Sequence, residues 1–367
     1  MRIAMIGHKH IPGRTGGVEV VVEELSTKMV EYGHHVTVYN RKYEQYKDTS
    51  QYKGVRCISV PTVHRKSTEA VVSTFLSSIL ALFGHYDVIH YHALGPSLFL
   101  IIPHIFGLKT VVTVHGLNYK TPKWKGIGGK FIRLGELITA KYADKIIVLS
   151  KDQQLYFKKK YGADSIYIPN GVTLQDKIAP NIIKYKYGLK KNGYILFLSR
   201  LVPGKGIEYL IDAYKQIKTD LPLIIAGDAP YVTSFINNIK IKANADKRVR
   251  FIGFVEGNEL QELYSNAKIF VFPSEAEGMP MCLLEALSYD VPCLVSDIPE
   301  NLEVGQDFVW KFHNKDINDL KDKLNYLINC ESISVKSRNY IKERYNWKNV
   351  TEKTLDVYRM INSKKTS

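Results

Sequence analysis

The chain has 367 residues, 45% of them hydrophobic, 24% charged and 11% aromatic, more apolar material than one core absorbs, which argues for about two folded domains. That profile excludes a disordered chain. Lys and Arg number 51 against 36 Asp and Glu, a net charge of +15, and such a field draws anions: nucleic acid, an acidic membrane surface or phosphorylated substrates.

In chain order, short β-branched runs alternate with helical periodicity. Strands are expected at 2–6, 36–40, 55–60, 87–91, 110–115 and 145–149, with helices over 18–32, 69–83, 97–106 and 130–142. The pattern restarts after Pro169-Asn170-Gly171: strands at 194–199, 222–226, 249–254, 268–272 and 292–296, and helices over 206–217, 234–245, 258–267 and 281–289. Strand–helix alternation means a parallel, doubly wound sheet, here twice over. The expected division is a first Rossmann-like domain at 1–172, a linker at 173–190 with Pro180, and a second Rossmann-like domain at 191–346. A helix at 347–367 follows, free to pack back on the first domain, and a ligand is expected in a cleft between the halves.

The opening apolar run is far too short for a signal segment. The longest one, 97–108, is broken by Pro103 and His104 and falls short of the roughly 20 residues a spanning helix needs. Cys57, Cys282, Cys293 and Cys330 form no CxxC pair, which argues against a disulfide framework or a thiolate zinc site and fits a reducing cytoplasm. The basic excess lies in the first half, with 24 basic against 13 acidic residues in 1–180 and 27 against 23 in 181–367.

Four segments carry chemistry. In FVFPSEAEGMPMCLLEAL, at 270–287, a buried strand gives way to a loop holding Glu277 and to a helix beginning near Pro280, so free amides meet the carboxyl end of a strand, a place suited to phosphate. Glu285 then sits one turn deeper among Met281, Cys282, Leu284 and Leu287, where a carboxylate needs a polar partner. A ligand hydroxyl pair suits it, and two carboxylates also raise the possibility of a glycosidase. Hydrolase carboxyls, however, flank one bond at about 5 to 9.5 Å, whereas these lie at different depths of one loop–helix unit. In LSRLVPGKG, at 198–206, Arg200 can fork onto phosphate oxygens and Lys205 adds a point charge. Gly16 and Gly17 follow the first strand without forming a GxGxxG or Walker loop. His115 ends a strand and is followed by Gly116; His90 and His92 end another and read as structural. No HExxH or DxD occurs, and no metal ion is called for.

Taken together, EGMP(x)4E at 277–285, RLVPGKG at 200–206, GGVE at 16–19, VHG at 114–116 and PNGV at 169–172 resemble glycosyltransferase family 4. Its members are retaining enzymes with two Rossmann-like domains, the GT-B fold. MRIAMIG, HALGPS and VHGLNYK are similar to the subfamily of bacterial surface-polysaccharide rhamnosyltransferases, except that Asn118 stands where that subfamily implies Asp. The resemblance implies a nucleoside-diphosphate sugar as donor substrate and no other cofactor. It assigns Arg200 and Lys205 to the donor diphosphate, Glu285 to the ribose, Glu277 with Gly278, Met279 and Pro280 to the sugar, Gly16 and Gly17 to the phosphates, and His115 to the reacting face. Glu277, His115, Arg200 and Lys205 are then the catalytic set.

The expected acceptor is a saccharide, polyprenyl-linked for a membrane enzyme. Lys123, Trp124, Lys125, Lys130 and Arg133 offer a basic, aromatic stretch that could rest on anionic headgroups, so the expected place is the cytoplasm, either peripheral on the inner face of the cell membrane or, where this helix packs its apolar side inward, free of it. A GT-B epimerase or hydrolase is the alternative enzyme. A nucleic-acid binder has only the charge in its favour, with no reading module, so nucleic acid is not an expected partner.

Overall fold

In the computed structural model, the β-branched runs form parallel strands and the amphipathic stretches the helices between them. It describes residues 1–13, 16–43, 49–63, 68–117, 127–229, 233–331 and 333–363. The chain divides into two units, Met1–Gly171 with Tyr345–Ser367, and Val172–Arg344.

The first unit holds β1 (Arg2–Ile6), β2 (His35–Arg41), β3 (Gln51–Tyr52), β4 (Val55–Val60), β5 (Val88–His92), β6 (Thr110–Val114), β7 (Lys145–Val148) and β8 (Ile166–Tyr167), with helices α1 (Gly17–Glu31), α2 (Glu69–Ala81), α3 (Ile101–Ile105), α4 (Ile127–Tyr142) and α5 (Lys151–Tyr161). The sheet order is β3-β4-β2-β1-β5-β6-β7-β8, parallel except for β3, and reverses direction between β1 and β5. The expected helix over 97–106 is split into a 3-10 turn, Pro96–Leu100, and α3. Pro103 has no N–H for the carbonyl of Phe99 four residues earlier, and that oxygen accepts from the backbone N–H that closes the 3-10 turn.

The second unit holds α6 (Ile182–Tyr187), β9 (Ile195–Leu198), α7 (Ile207–Lys215), β10 (Leu223–Ala226), α8 (Thr233–Ala243), β11 (Val249–Gly253), α9 (Gly257–Asn266), β12 (Ile269–Phe272), α10 (Met281–Ser288), β13 (Cys293–Ser296), α11 (Pro299–Gly305), β14 (Val309–Phe312), α12 (Ile317–Asn329) and α13 (Arg338–Arg344). Its order, β11-β10-β9-β12-β13-β14, is the doubly wound one with a switch point between β9 and β12. On α7, Ile207, Leu210, Ile211 and Tyr214 are buried at the spacing of one helical face, against Ile195, Phe197, Ile225 and Ile269 of the sheet. Residues 173–190, expected as a linker, run inside this unit: Glu262 Oε2 accepts from the amides of Asn181 and Ile183 at 2.8 and 3.0 Å, which fixes the start of α6. The final helix, α14 (Trp347–Asn362), belongs to the first unit and packs on α1.

Candidate functional site

Ligands of doubly wound sheets bind outside the carboxyl ends of the strands at the switch point. In the second unit the loops leaving β9 and β12 flank that point, and they carry Arg200, Lys205 and Glu277. Arg200 opens the β9 loop and is exposed. Gly204 and Gly206 have φ of +88° and +71°, which turn the chain tightly into α7, and the amide of Glu275 donates to the Gly204 carbonyl at 2.9 Å, joining the two loops. A Cβ at Gly206 would stand 1.9 Å from the Pro273 carbonyl oxygen. Left-handed backbone alone costs about 1 to 2 kcal/mol for a residue with a Cβ, so with the overlap Gly206→Ala is expected to lose about 3 kcal/mol or more. Chemical denaturation checks it; an unchanged midpoint would contradict this loop geometry.

Lys205 Nζ pairs with Glu277 Oε1, and Ser274 Oγ donates to the same oxygen at 2.6 Å. The two charged side chains are only 14% and 10% exposed, so each is desolvated enough to need the other. Lys205 also lies 5.6 Å from the centroid of Phe272. A cation held this way is already ordered, and an anion arriving beside Arg200 finds a formed electrostatic site.

Met279 and Pro280 are buried. Pro280 is the N-cap rather than the first residue of α10, and its carbonyl accepts from Leu284 N at 3.1 Å. One turn on, half-buried Glu285 has the partner its apolar flanks require: Tyr264 of α9 donates to Oε2 at 3.0 Å. Burial, then the charge of Glu285, hold the Tyr264 phenol well above its ordinary range, so it stays a donor. Tyr289 stacks on Tyr264 at 5.6 Å between centroids. Glu277 and Glu285 thus answer to different partners, one a cation and the other a phenol, unlike a hydrolase pair of complementary acid and base.

In the first unit, Gly16 is the N-cap of α1 and Gly17 its first residue. Buried Glu19 turns back so that Oε1 accepts from Lys9 N at 3.0 Å, and a Cβ on Gly16 would stand 2.7 Å from Oε2. Glu19 therefore braces the loop after β1. His115 follows β6, and its Nε2 is hydrogen-bonded to His92 Nδ1 at 3.0 Å. His90 is bonded to Tyr358 Oη at 2.6 Å and to Thr113 Oγ1 at 2.7 Å, and its ring stands 4.2 Å from that of His92. Burial lowers His115 and His8 to about 4 and His90 to about 3, and takes His92 well below its usual range. All four rings are neutral at pH 7. Among the described residues no group of three or more His, Cys, Asp and Glu could hold a metal ion. Lys130 and Arg133 are exposed on α4; Asn118, Lys123, Trp124 and Lys125 lie outside the described residues.

Two parallel, doubly wound units in one chain are the GT-B architecture. Among solved structures, sucrose-phosphate synthase from Thermosynechococcus elongatus is similar at a TM-score of 0.83 and 19% identity, over 99% of both chains. Anabaena HepE in complex with UDP and glucose is similar at 0.81 and 16%, over 98% of this chain and 100% of that one. Residues 15–176 match the family described as Glycosyltransferase Family 4 and residues 181–347 that described as Glycosyl transferases group 1. The UDP-Gal:alpha-D-GlcNAc-diphosphoundecaprenol alpha-1,3-galactosyltransferase of Escherichia coli is 30% identical over 330 residues, covering 83% of this chain and 84% of its own. The chain belongs to glycosyltransferase family 4.

Proposed function

We propose that the protein is a retaining glycosyltransferase that moves a sugar from a nucleoside-diphosphate donor to a lipid-linked saccharide in surface-polysaccharide synthesis. The observation that carries the reading is the Lys205–Glu277 pair beside exposed Arg200 at the switch point, with Glu285 held by Tyr264 one turn further on. The E. coli relative is named for a UDP-activated sugar and a diphosphoundecaprenol-linked acceptor, and the Anabaena neighbour is bound to UDP; both favour UDP as the first nucleotide to try.

The chemistry follows from charge. As the bond from C1 to the diphosphate oxygen breaks, the leaving group gains negative charge, and Arg200 and Lys205 stabilise that charge more in the transition state than before it. Glu285 accepts from the ribose hydroxyls. Glu277 and the loop Gly278, Met279 and Pro280 position the sugar, Gly16 and Gly17 admit the phosphates to the backbone, and neutral His115 gives the sugar a hydrogen bond without a competing charge. The acceptor hydroxyl adds to C1 on the face the diphosphate leaves, and its proton passes to the departing phosphate oxygen, so configuration is retained without a protein nucleophile or a metal ion.

Thermal stabilisation by UDP, GDP and dTDP, set against oligonucleotides, tests the donor class. Incubation with a nucleotide-sugar panel and bacterial lipid extract, read by mass spectrometry and anomeric NMR, tests transfer; nucleotide release independent of any acceptor would favour the epimerase or hydrolase instead. Tyr264→Phe removes a hydrogen bond to a charged group, worth about 1.5 to 3 kcal/mol. The donor KM is expected to rise about 10-fold with kcat little changed, by steady-state kinetics; an unchanged KM would detach Glu285 from the nucleotide.

A further inference from the structure

Helix α2 is packed inside out. Its buried positions are Ser73, Thr74, Ser77, Ser78 and Ala81, and the two inner serines spend their hydroxyls on the helix itself, Ser77 donating to Ser73 O at 2.7 Å and Ser78 to Thr74 O at 2.8 Å. Of its large apolar residues, Leu76 is half-buried against the core, Val71, Val72 and Ile79 are half-buried, and none is fully buried. Phe75 and Leu80 are exposed, and Phe83 just beyond the helix is 75% exposed. An ordinary surface helix does the reverse. The same face continues at the end of α3, a helix packed against α2, where Ile105 and the C-cap Phe106 are 73% and 68% exposed. It also continues through aromatic contacts from Phe75 to Phe99 at 5.7 Å and from Phe99 to Phe131 of α4 at 6.1 Å.

Charge identifies the occupant. On α4, Lys130, Leu134, Leu137 and Lys141 are all exposed and recur at i, i+4, i+7 and i+11, one stripe of a helix, with cations at both ends and exposed leucines between. Lys141 lies over the ring of Tyr142, which meets His104 beside Ile105. Residues 69–141 contain seven Lys and Arg and three acids, Glu69, Asp87 and Glu136; Glu69, the first residue of α2, pairs with Arg41 and its side chain is only 15% exposed. Glu136 is buried and accepts from Tyr156, Tyr161 and Lys160. A contiguous apolar face rimmed by cations and lacking exposed carboxylates on its helices matches the boundary between acyl chains and anionic headgroups. Among the described residues no helix is long and apolar enough to cross a membrane, so the face lies on the surface.

We propose that the outward face of α2, Ile105 and Phe106 at the end of α3, and the cationic stripe of α4 dock this protein on an anionic bilayer. This rests on the lipid-linked acceptor proposed above, and it extends the anchor from the basic stretch at 123–133 to α2, a helix with no Lys or Arg at all. Sedimentation of the full chain with phosphatidylcholine vesicles containing phosphatidylglycerol, at about 0.15 M salt, tests it. The wild type is expected to bind, and Phe83→Ser/Phe106→Ser to partition at least about 10-fold less with its thermal midpoint unchanged. Its stabilisation by UDP is also expected to be unchanged, which separates this surface from the donor site: loss of the UDP effect in the wild type would count against the transferase reading, not against docking. The docking proposal is overturned if the wild type stays in the supernatant, if the double variant sediments equally, or if lipid-free wild type is a dimer by ultracentrifugation and the variant a monomer.

Discussion

Lys205→Ala is expected to lower kcat/KM for transfer about 10^3-fold, the loss that follows removal of one preorganised partner of a developing oxyanion, while the protein still folds. The pairing of Lys205 with Glu277 makes the test sharper than a single substitution. Removing the lysine leaves a carboxylate, 10% exposed, that keeps the Ser274 hydroxyl but has lost its counter-charge, and a group so stranded costs about 1 to 3 kcal/mol. Glu277→Ala strands the ammonium instead. In Lys205→Ala/Glu277→Ala neither charge is left over, so stability should recover by roughly 1 to 2 kcal/mol relative to the sum of the single changes. Turnover should stay as low as in either single variant. Urea denaturation and steady-state kinetics on the four proteins of the cycle decide it. Wild-type turnover in Lys205→Ala would remove the lysine from the chemistry, and strictly additive stabilities would mean that the pair is not formed in solution.

What was legible in the sequence was local. Strands such as Arg2–Ile6 and Ile269–Phe272 announce themselves by β-branched runs ended by glycine or proline, and the loops at 200–206 and 277–280 by residue types with few other uses at a strand's end. The need of Glu285 for a polar partner could be read from its apolar flanks, but not the partner: Tyr264 lies 21 residues earlier on another helix, and only the sheet order brings α9 against α10. Helix α5 escapes periodicity because its apolar content is slight, with Gln153 and Phe157 buried. The signals were its caps, Ser150 accepting from Gln153 N at 3.2 Å and Gly162 at φ +66°. At 69–83 periodicity locates the helix, but it cannot say that the small polar side faces inward, because that depends on how closely α2 must approach its neighbours. Single residues mark His90 and His92 as structural but not their company: His90 is bonded to Tyr358 and Thr113, His92 to His115, and the two rings stand 4.2 Å apart.

That cluster is expected to make the protein acid-sensitive. His8, His90, His92 and His115 are held well below the 6.5 of a free histidine by burial, and for His8 the charge of Arg41 acts in the same direction. Between pH 6.5 and about 4 the unfolded chain binds protons that the folded one refuses, so stability rises with pH across this window and is lost on acidification, by about 1.4 kcal/mol per unit for each independent group. The rings are not independent. The His92–His115 bond needs a donor on one ring and a lone pair on the other, so protonating both sets N–H against N–H. Lowering the pH from 6.5 to 4.5 is therefore expected to remove about 2 kcal/mol for each ring that stays neutral and drop the thermal midpoint steeply, while the midpoint stays nearly flat from pH 7 to 8.5. Melting curves across this range, with ring-proton NMR showing four histidines that do not titrate above about pH 5, check it. A midpoint that holds from pH 7 to 4.5 would mean that these rings are hydrated, and with them the switch point of the first sheet.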